Sequence, residues 1–221
     1  MNDHSITTSR GRSSRGVERN PERRAALIAA AREIVRERGF HRTRLADVGA
    51  RVGLTAPAVA YWFPNKVDLL VGALVSTDEE RFYAVVEPAL TGLADPVDRL
   101  RVAVGLNLTR TDWVLWVELA ALALRQPAAR AGLDALDARW HALLAGILRD
   151  GERRGAWPSG GGGADRTALR LATLMDGLGI QLILRDLPLE DVAQGCAHAL
   201  EAELGVAITG EQLLAVGAQL P

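Results

Sequence analysis

Residues able to do covalent chemistry are few and scattered in this chain, whereas the cationic ones are gathered. There are four histidines (His4, His41, His141, His198) and one cysteine, Cys196. No pair has a metal-ligand spacing such as His-x-x-x-His, so no metal is expected. No Gly-x-Ser-x-Gly and no Gly-Lys-Ser/Thr occurs, which sets aside that nucleophile turn and a phosphate-binding P-loop. No cofactor and no enzymatic activity are expected. Cys196, on an apolar stretch without a basic neighbour, reads as a small buried hydrophobe. The cations behave differently. Up to Lys66, thirteen Lys/Arg face six Asp/Glu, a net +7, and the remainder carries −8, hidden in a total of −1. Such asymmetry predicts a polyanion partner for the front of the chain alone.

Within that front, Thr43 to Lys66 has the grammar of two short helices joined by a tight turn. Gly49 sits inside the first, where a crossing helix leaves no room for a larger side chain. Gly53, four residues on, can take the positive φ of the turn. Val59, ten residues after Gly49, can bury between the helices beside Val48 and Leu54. This spacing predicts a helix-turn-helix, a unit that lays its second helix on DNA. Thr55 is placed to cap that second helix.

The elements around it all read as helices. Met1–Arg19 is polar and Arg-rich, an expected mobile arm whose Arg10, Arg12 and Arg15 are suited to phosphates or a minor groove. Asn20-Pro21 opens a helix that Gly39 stops, with Phe40 folding back on its apolar face. Asn65 and Asp68 suggest a capping box for a long helix that Pro88 closes. Further helices are predicted from Asp95-Pro96 to about Thr109, over 112–125, from Pro127 to about Arg154, from an Asp165 cap to about Arg185, and from Pro188 to about Leu204. Thr209 and Gln212 suggest a last short one. Ser159 to Gly163 reads as a flexible loop. The expected fold is all-α, with residues 1–19 an arm, 20–66 a DNA-binding domain and 67–221 a helical effector-binding and dimerisation domain. No run of roughly 20 apolar residues stands out as a membrane span. One cysteine and no leader-like segment make a reducing cytoplasm the expected home, with no membrane partner.

The stretch Arg23–Leu70 resembles the N-terminal DNA-binding region of the tetracycline-repressor (TetR) family. Gly39-Phe40, Thr43, Asp47-Val48-Gly49, Gly53-Leu54-Thr55, Phe63, Asn65-Lys66 and Leu69 carry the likeness over about 48 residues. The resemblance implies a dimeric repressor of a double-stranded DNA operator, released by a small-molecule effector. It places DNA contacts on Arg44, Thr55, Ala56, Pro57, Tyr61, Trp62 and Lys66, with Lys66 on the phosphate backbone. Arg44 is the best candidate for guanine, and Ala56 and Pro57 can touch a thymine methyl. The family usually has tyrosine where this chain has Ala60; here Tyr61 and Trp62 follow instead, and one of them is expected to anchor in the core.

Leu136 to Trp140, Gly151 to Trp157 and Met175 to Leu178 resemble the C-terminal domain of betaine-pathway (BetI-type) repressors. Four of the five tryptophans lie behind the DNA unit. An effector cavity is therefore expected between helices, lined by Trp113, Trp116, Trp140 and Met175 with polar groups from Glu118, His141, Asp176 or Asn107. The same tryptophans at helical spacing also suit a filled core. Small residues Ala168, Ala172, Gly177, Gly179, Ala193 and Ala197 are expected to let two helices pair with those of a second copy. A different class stays open: an all-helical scaffold whose basic front binds some other polyanion.

Overall fold

Every regular element among the residues described by the computed structural model, 21–78, 82–158 and 162–219, is a helix. Three form the DNA unit: α1 (Pro21–Arg42), α2 (Leu45–Arg51) and α3 (Ala56–Trp62). Then come α4 (Lys66–Asp78), α5 (Ala84–Thr91), α6 (Pro96–Arg110), α7 (Trp113–Ala123), α8 (Pro127–Arg154), α9 (Gly163–Leu184), α10 (Leu189–Leu204) and α11 (Gly210–Gln219). The arm and its arginines Arg10, Arg12 and Arg15 lie outside the described residues, as do 159–161 of the glycine-rich loop.

Local chemistry accounts for most boundaries. The Asn65 side-chain oxygen accepts from the amides of Val67 and Asp68 at 2.8 and 3.0 Å, relieving the first unpaired donors of α4. Asp95 does the same for Val97 at the start of α6. Thr209 and Gln212 form a reciprocal box, each side chain accepting from the other's amide. Gly39 breaks α1 with φ 79° and ψ 160°, after which one tight turn runs to Arg42.

Three boundaries differ from expectation. Thr55 precedes α3 but its side chain makes no cap bond. Gly162, not Asp165, stands at the N-cap of α9, and Asp165 instead pairs with Arg149. Pro88 does not end a helix: it lies exposed inside α5, while a π-helical turn at Phe82–Tyr83 leads into that helix. A proline one turn into a helix forfeits a single backbone bond, here to the Ala84 carbonyl, so it is tolerated there.

Four apolar clusters organise the packing, the smallest gathering Leu108 of α6 with Val192 and Ala193 of α10. One fills the DNA unit around Leu27, Ile34, Val48, Val59 and Leu69. A second joins that unit to the rest, with Val35 and Phe40 of α1 against Leu70 and Leu74 of α4 and Leu115 and Leu119 of α7. The third is the main core, from α5, α6 and α8 through to α11. Close approach shapes the packing: a Cβ on Gly151 would run into the Trp157 ring, and one on Gly179 into the Trp113 ring. By length and mean hydropathy (1.3 over its most apolar window) α9 would pass for a membrane-crossing helix, a stretch the sequence reading did not single out. Only 33% of that window is buried inside the chain. Arg170 and Asp176 interrupt it, and Arg170 is bonded to Glu203 of α10.

Candidate DNA interface and effector cavity

The helix-turn-helix is built as its glycines predict. A Cβ on Gly49 would meet the Leu54 carbonyl oxygen at 2.5 Å and the Val59 side chain at 3.0 Å, so α2 and α3 cross there with no spare space. Gly53 takes φ +71° in the turn. Val48 and Val59 are fully buried. This fixes which residues α3 turns outward: Thr55, Pro57, Ala60 and Tyr61 are exposed, with Ala56 partly so. Tyr61, 55% exposed, stands edge-on to Trp62, whose ring packs against the unit's own core. Of the two aromatics, Trp62 is the anchor. Arg44 is exposed at the head of α2, in a basic pocket with Arg38, His41 and Arg42 that also contains Asp47.

Lys66 is engaged inside the chain. Its ammonium donates to the carbonyls of Phe40 and His41 at 3.4 and 3.2 Å and lies 4.4 Å from the centroid of the Phe40 ring. A cation on the last carbonyls of a helix is a favourable C-terminal cap. Lys66 thus ties the end of α1 to the start of α4 with two of its three N–H donors.

The cavity lies where α4, α6, α7, α8 and α9 meet. Trp116, Trp140, Asp176 and Asn107 line it, as expected. Leu74, Phe82, Tyr83, Asp112 and Asp137 also line it and were not anticipated. Phe82 stands edge-on to Trp140, with ring centroids 5.6 Å apart. The cavity's volume is only about 40 Å³, so a ligand larger than a few atoms must part its walls. The buried Trp140 Nε1–H has no hydrogen-bond partner among the described residues. Asp176 is pushed up to about 7, first by burial and then by the nearby Asp137 carboxylate. Asp137 is itself raised by burial, against the pull of His141. Arg110, also in the wall, donates to the Gly217 carbonyl at 3.4 Å.

Other candidates fall elsewhere. Trp113 is buried against Gly179, and Met175 is buried in the main core. His141 is half-buried beside Asp137 and outside the lining. Glu118 faces α1: its Oε1 accepts from the Phe40 amide at 3.1 Å. Ala168, Ala172, Gly179, Ala193 and Ala197 are buried in this chain's own packing, so their smallness serves contacts within the subunit and offers nothing to a second copy. Only Gly177 of that set is exposed. The outward apolar side chains of α9 are Leu169, Leu174, Ile183 and Leu184. Cys196 is buried, which pushes its thiol up to about 12.

Residues 27–73 match the family described as bacterial regulatory proteins, tetR family, and residues 96–205 match the BetI-type transcriptional repressor, C-terminal, family. The HTH-type transcriptional regulator CymR of Pseudomonas putida is 30% identical over 123 residues, 53% of this chain and 59% of that protein. The HTH-type transcriptional regulator BetI of Stenotrophomonas maltophilia is 30% identical over 118 residues, 51% of this chain and 59% of that one. The matched part of the chain thus spans less than two thirds of these curated relatives. A transcriptional regulator from Saccharomonospora viridis, solved in complex with choline, superposes with a TM-score of 0.74 at 27% identity, covering 84% of this chain and 98% of that one. With its helix-turn-helix and its C-terminal helices both matched, the chain belongs to the TetR family of bacterial regulatory proteins.

Proposed function

We propose that this chain is a homodimeric repressor that leaves a pseudo-palindromic operator when a small organic cation enters its cavity. The observation that carries the DNA half is the outward face of α3, held rigid by the Gly49 crossing and flanked by Arg44. Arg44 reads guanine, Thr55, Pro57 and Tyr61 meet the groove with the partly exposed Ala56, and the spare N–H of Lys66 reaches a phosphate. Trp62 holds α3 in place. The dimer half rests on α9, whose Leu169, Leu174, Ile183 and Leu184 lie open to water around Gly177. A second copy packing its α9 there would bury this face and set two α3 helices about 34–36 Å apart, one turn of DNA. Operator binding of this kind belongs in the cytoplasm.

The effector class follows from the cavity wall. Three carboxylates, Asp112 (paired with Arg36), Asp137 and Asp176, share it with the rings of Phe82, Tyr83, Trp116 and Trp140 and with the Arg110 guanidinium. Burial deprives these carboxylates of the water that would stabilise their charge, so a cation beside them is favoured, and aromatic faces bind one without needing hydrogen bonds. The unpaired Trp140 N–H suits an oxygen on the same ligand. The choline held by the Saccharomonospora viridis protein has both features. The test is calorimetry with choline and with its neutral carbon isostere, followed by gel shift on a duplex selected from a random pool. Choline is expected to bind, the isostere not to, and choline to lower duplex affinity. Equal binding of the two, or none, refutes the cation; failure to select any duplex refutes the operator and favours the scaffold reading.

A further inference from the structure

We propose that the cavity takes up its organic cation in exchange for a proton held by the Asp137–Asp176 pair, so that it fills as pH rises and empties as pH falls. The proposal rests on the cation reading above and adds what leaves the cavity when the ligand enters.

The carboxylates of the wall are not equivalent. Asp112 of the α7 cap is neutralised by the Arg36 guanidinium. Asp137 comes from α8 and Asp176 from α9, and among the described residues neither is in a salt bridge. Asp137 has His141, Arg130 and Asp134 around it on its own helix, whereas the one charge acting on Asp176 is that of Asp137. The guanidinium in the wall, Arg110 of α6, is directed to the Gly217 carbonyl. The turn before α5 adds the Phe82 ring and the Tyr83 phenol, α4 adds Leu74, and α10 and α11 add nothing to the described lining.

Two carboxylates on one cavity of about 40 Å³ are poorly hydrated, and each raises the cost of charging the other. One proton removes one of the two charges. It sits on Asp176, which burial and the Asp137 charge push up to about 7. Both side chains are half-buried, so the acid keeps an edge on solvent by which its proton can leave. A separate sign of a ligand comes from Trp140. This residue is 7% exposed and lines the same cavity, and its Nε1–H has no acceptor among the described residues. A buried donor left unpaired is costly, and an oxygen on the bound cation relieves it.

The exchange balances. The O–H bond of the Asp176 carboxyl breaks, the proton passes to the buffer, and the cation takes its place beside two carboxylates. One positive charge replaces another, so the cavity carries the same net charge before and after, and no further charge is buried. A neutral ligand has nothing to exchange.

Calorimetry with choline on the full-length protein, in two buffers of different ionisation enthalpy, counts the protons released. A midpoint of about 7 gives about 0.9 proton per choline at pH 6 and about 0.1 at pH 8, with affinity rising about tenfold between them. Asp176→Asn is expected to cut the release at pH 6 to below about 0.2 proton and to flatten the pH dependence; undiminished release overturns the proposal. His141→Gln is expected to keep the release, and a release lost with the histidine overturns it too. Should Asp176→Asn fold poorly or bind too weakly, unmodified protein carrying isotope-labelled aspartate decides. One carboxyl resonance is expected to titrate near pH 7 without choline and below about pH 5 with it; a midpoint that choline leaves in place overturns the proposal. Choline binding without proton release leaves the cation reading standing and removes the exchange. No binding at either pH refutes the cation reading, and the exchange with it.

Discussion

Asp176→Asn should abolish a loss of stability that the original protein undergoes as pH rises from about 4 to 7. Burial, aided by Asp137, lifts the folded-state value of Asp176 to about 7 from an ordinary 3.8. In the unfolded chain the carboxyl ionises near its ordinary value. Across that window the folded protein holds a proton that the unfolded chain has released. Stability from this group is thus fully present below about pH 4, falls as pH rises, and levels off above about 7. At about 1.4 kcal/mol per unit, the interval from pH 5 to 8 spans about two units, or roughly 3 kcal/mol. Partial contact of the side chain with water lowers the expectation to about 2 kcal/mol. Asparagine cannot titrate and escapes this term. Urea denaturation of both proteins at pH 5 and 8, followed by circular dichroism, reads the difference directly, since groups unaffected by the substitution titrate alike in both and cancel. The variant should gain about 2 kcal/mol on the original between the two pH values. Parallel pH profiles would refute the claim that this carboxyl is held protonated by its surroundings.

Gly49→Ala should cost more than about 2 kcal/mol and abolish duplex binding, because the new Cβ meets a backbone carbonyl, which cannot move aside cheaply; retained binding in a gel shift would contradict the tight α2–α3 crossing. Lys66→Met should lower stability by about 1–2 kcal/mol through loss of two carbonyl bonds and the Phe40 contact. It should also weaken all duplexes without changing base preference, and an unchanged melting temperature would show the brace to be idle. Cys196 should resist thiol reagents in the native protein and react only on unfolding, since burial suppresses its thiolate; rapid native-state labelling would overturn that.

The parts of the molecule that depend on neighbouring residues were legible in the sequence. The Gly49–Gly53–Val59 spacing, the Asn65 cap and the Thr209–Gln212 box each encode a local geometry, and each forms. Tertiary placement was less accessible. Glu118 and Trp113 share a helix with Trp116 and look equally fit for a cavity, but successive turns of α7 face α1, α9 and the cavity in turn. The alanines of α9 and α10 signal close helix approach without saying whether the neighbour is in the same chain, and here it is. Phe82 and Tyr83 reach the cavity from the π-helical turn that leads into α5, where the sequence pointed to an unbroken helix up to Pro88. Asp137 was hidden because its role depends on Asp176 from another helix. Alanine at position 60 fits an arrangement in which Trp62 anchors α3 and Tyr61 is exposed beside it.

One arrangement bears on how this protein responds to chemical modification. The chain has a single ε-amine, that of Lys66, and it braces the end of α1 against α4. Acylation there would remove the positive charge and bulk out the site, releasing the Phe40 and His41 carbonyls. Lysine-directed cross-linkers, dyes and acetylating agents therefore have one side-chain address, and occupying it unlatches the DNA unit. The many surface arginines escape such reagents, so the charge that draws in DNA survives while the brace that aims it is lost.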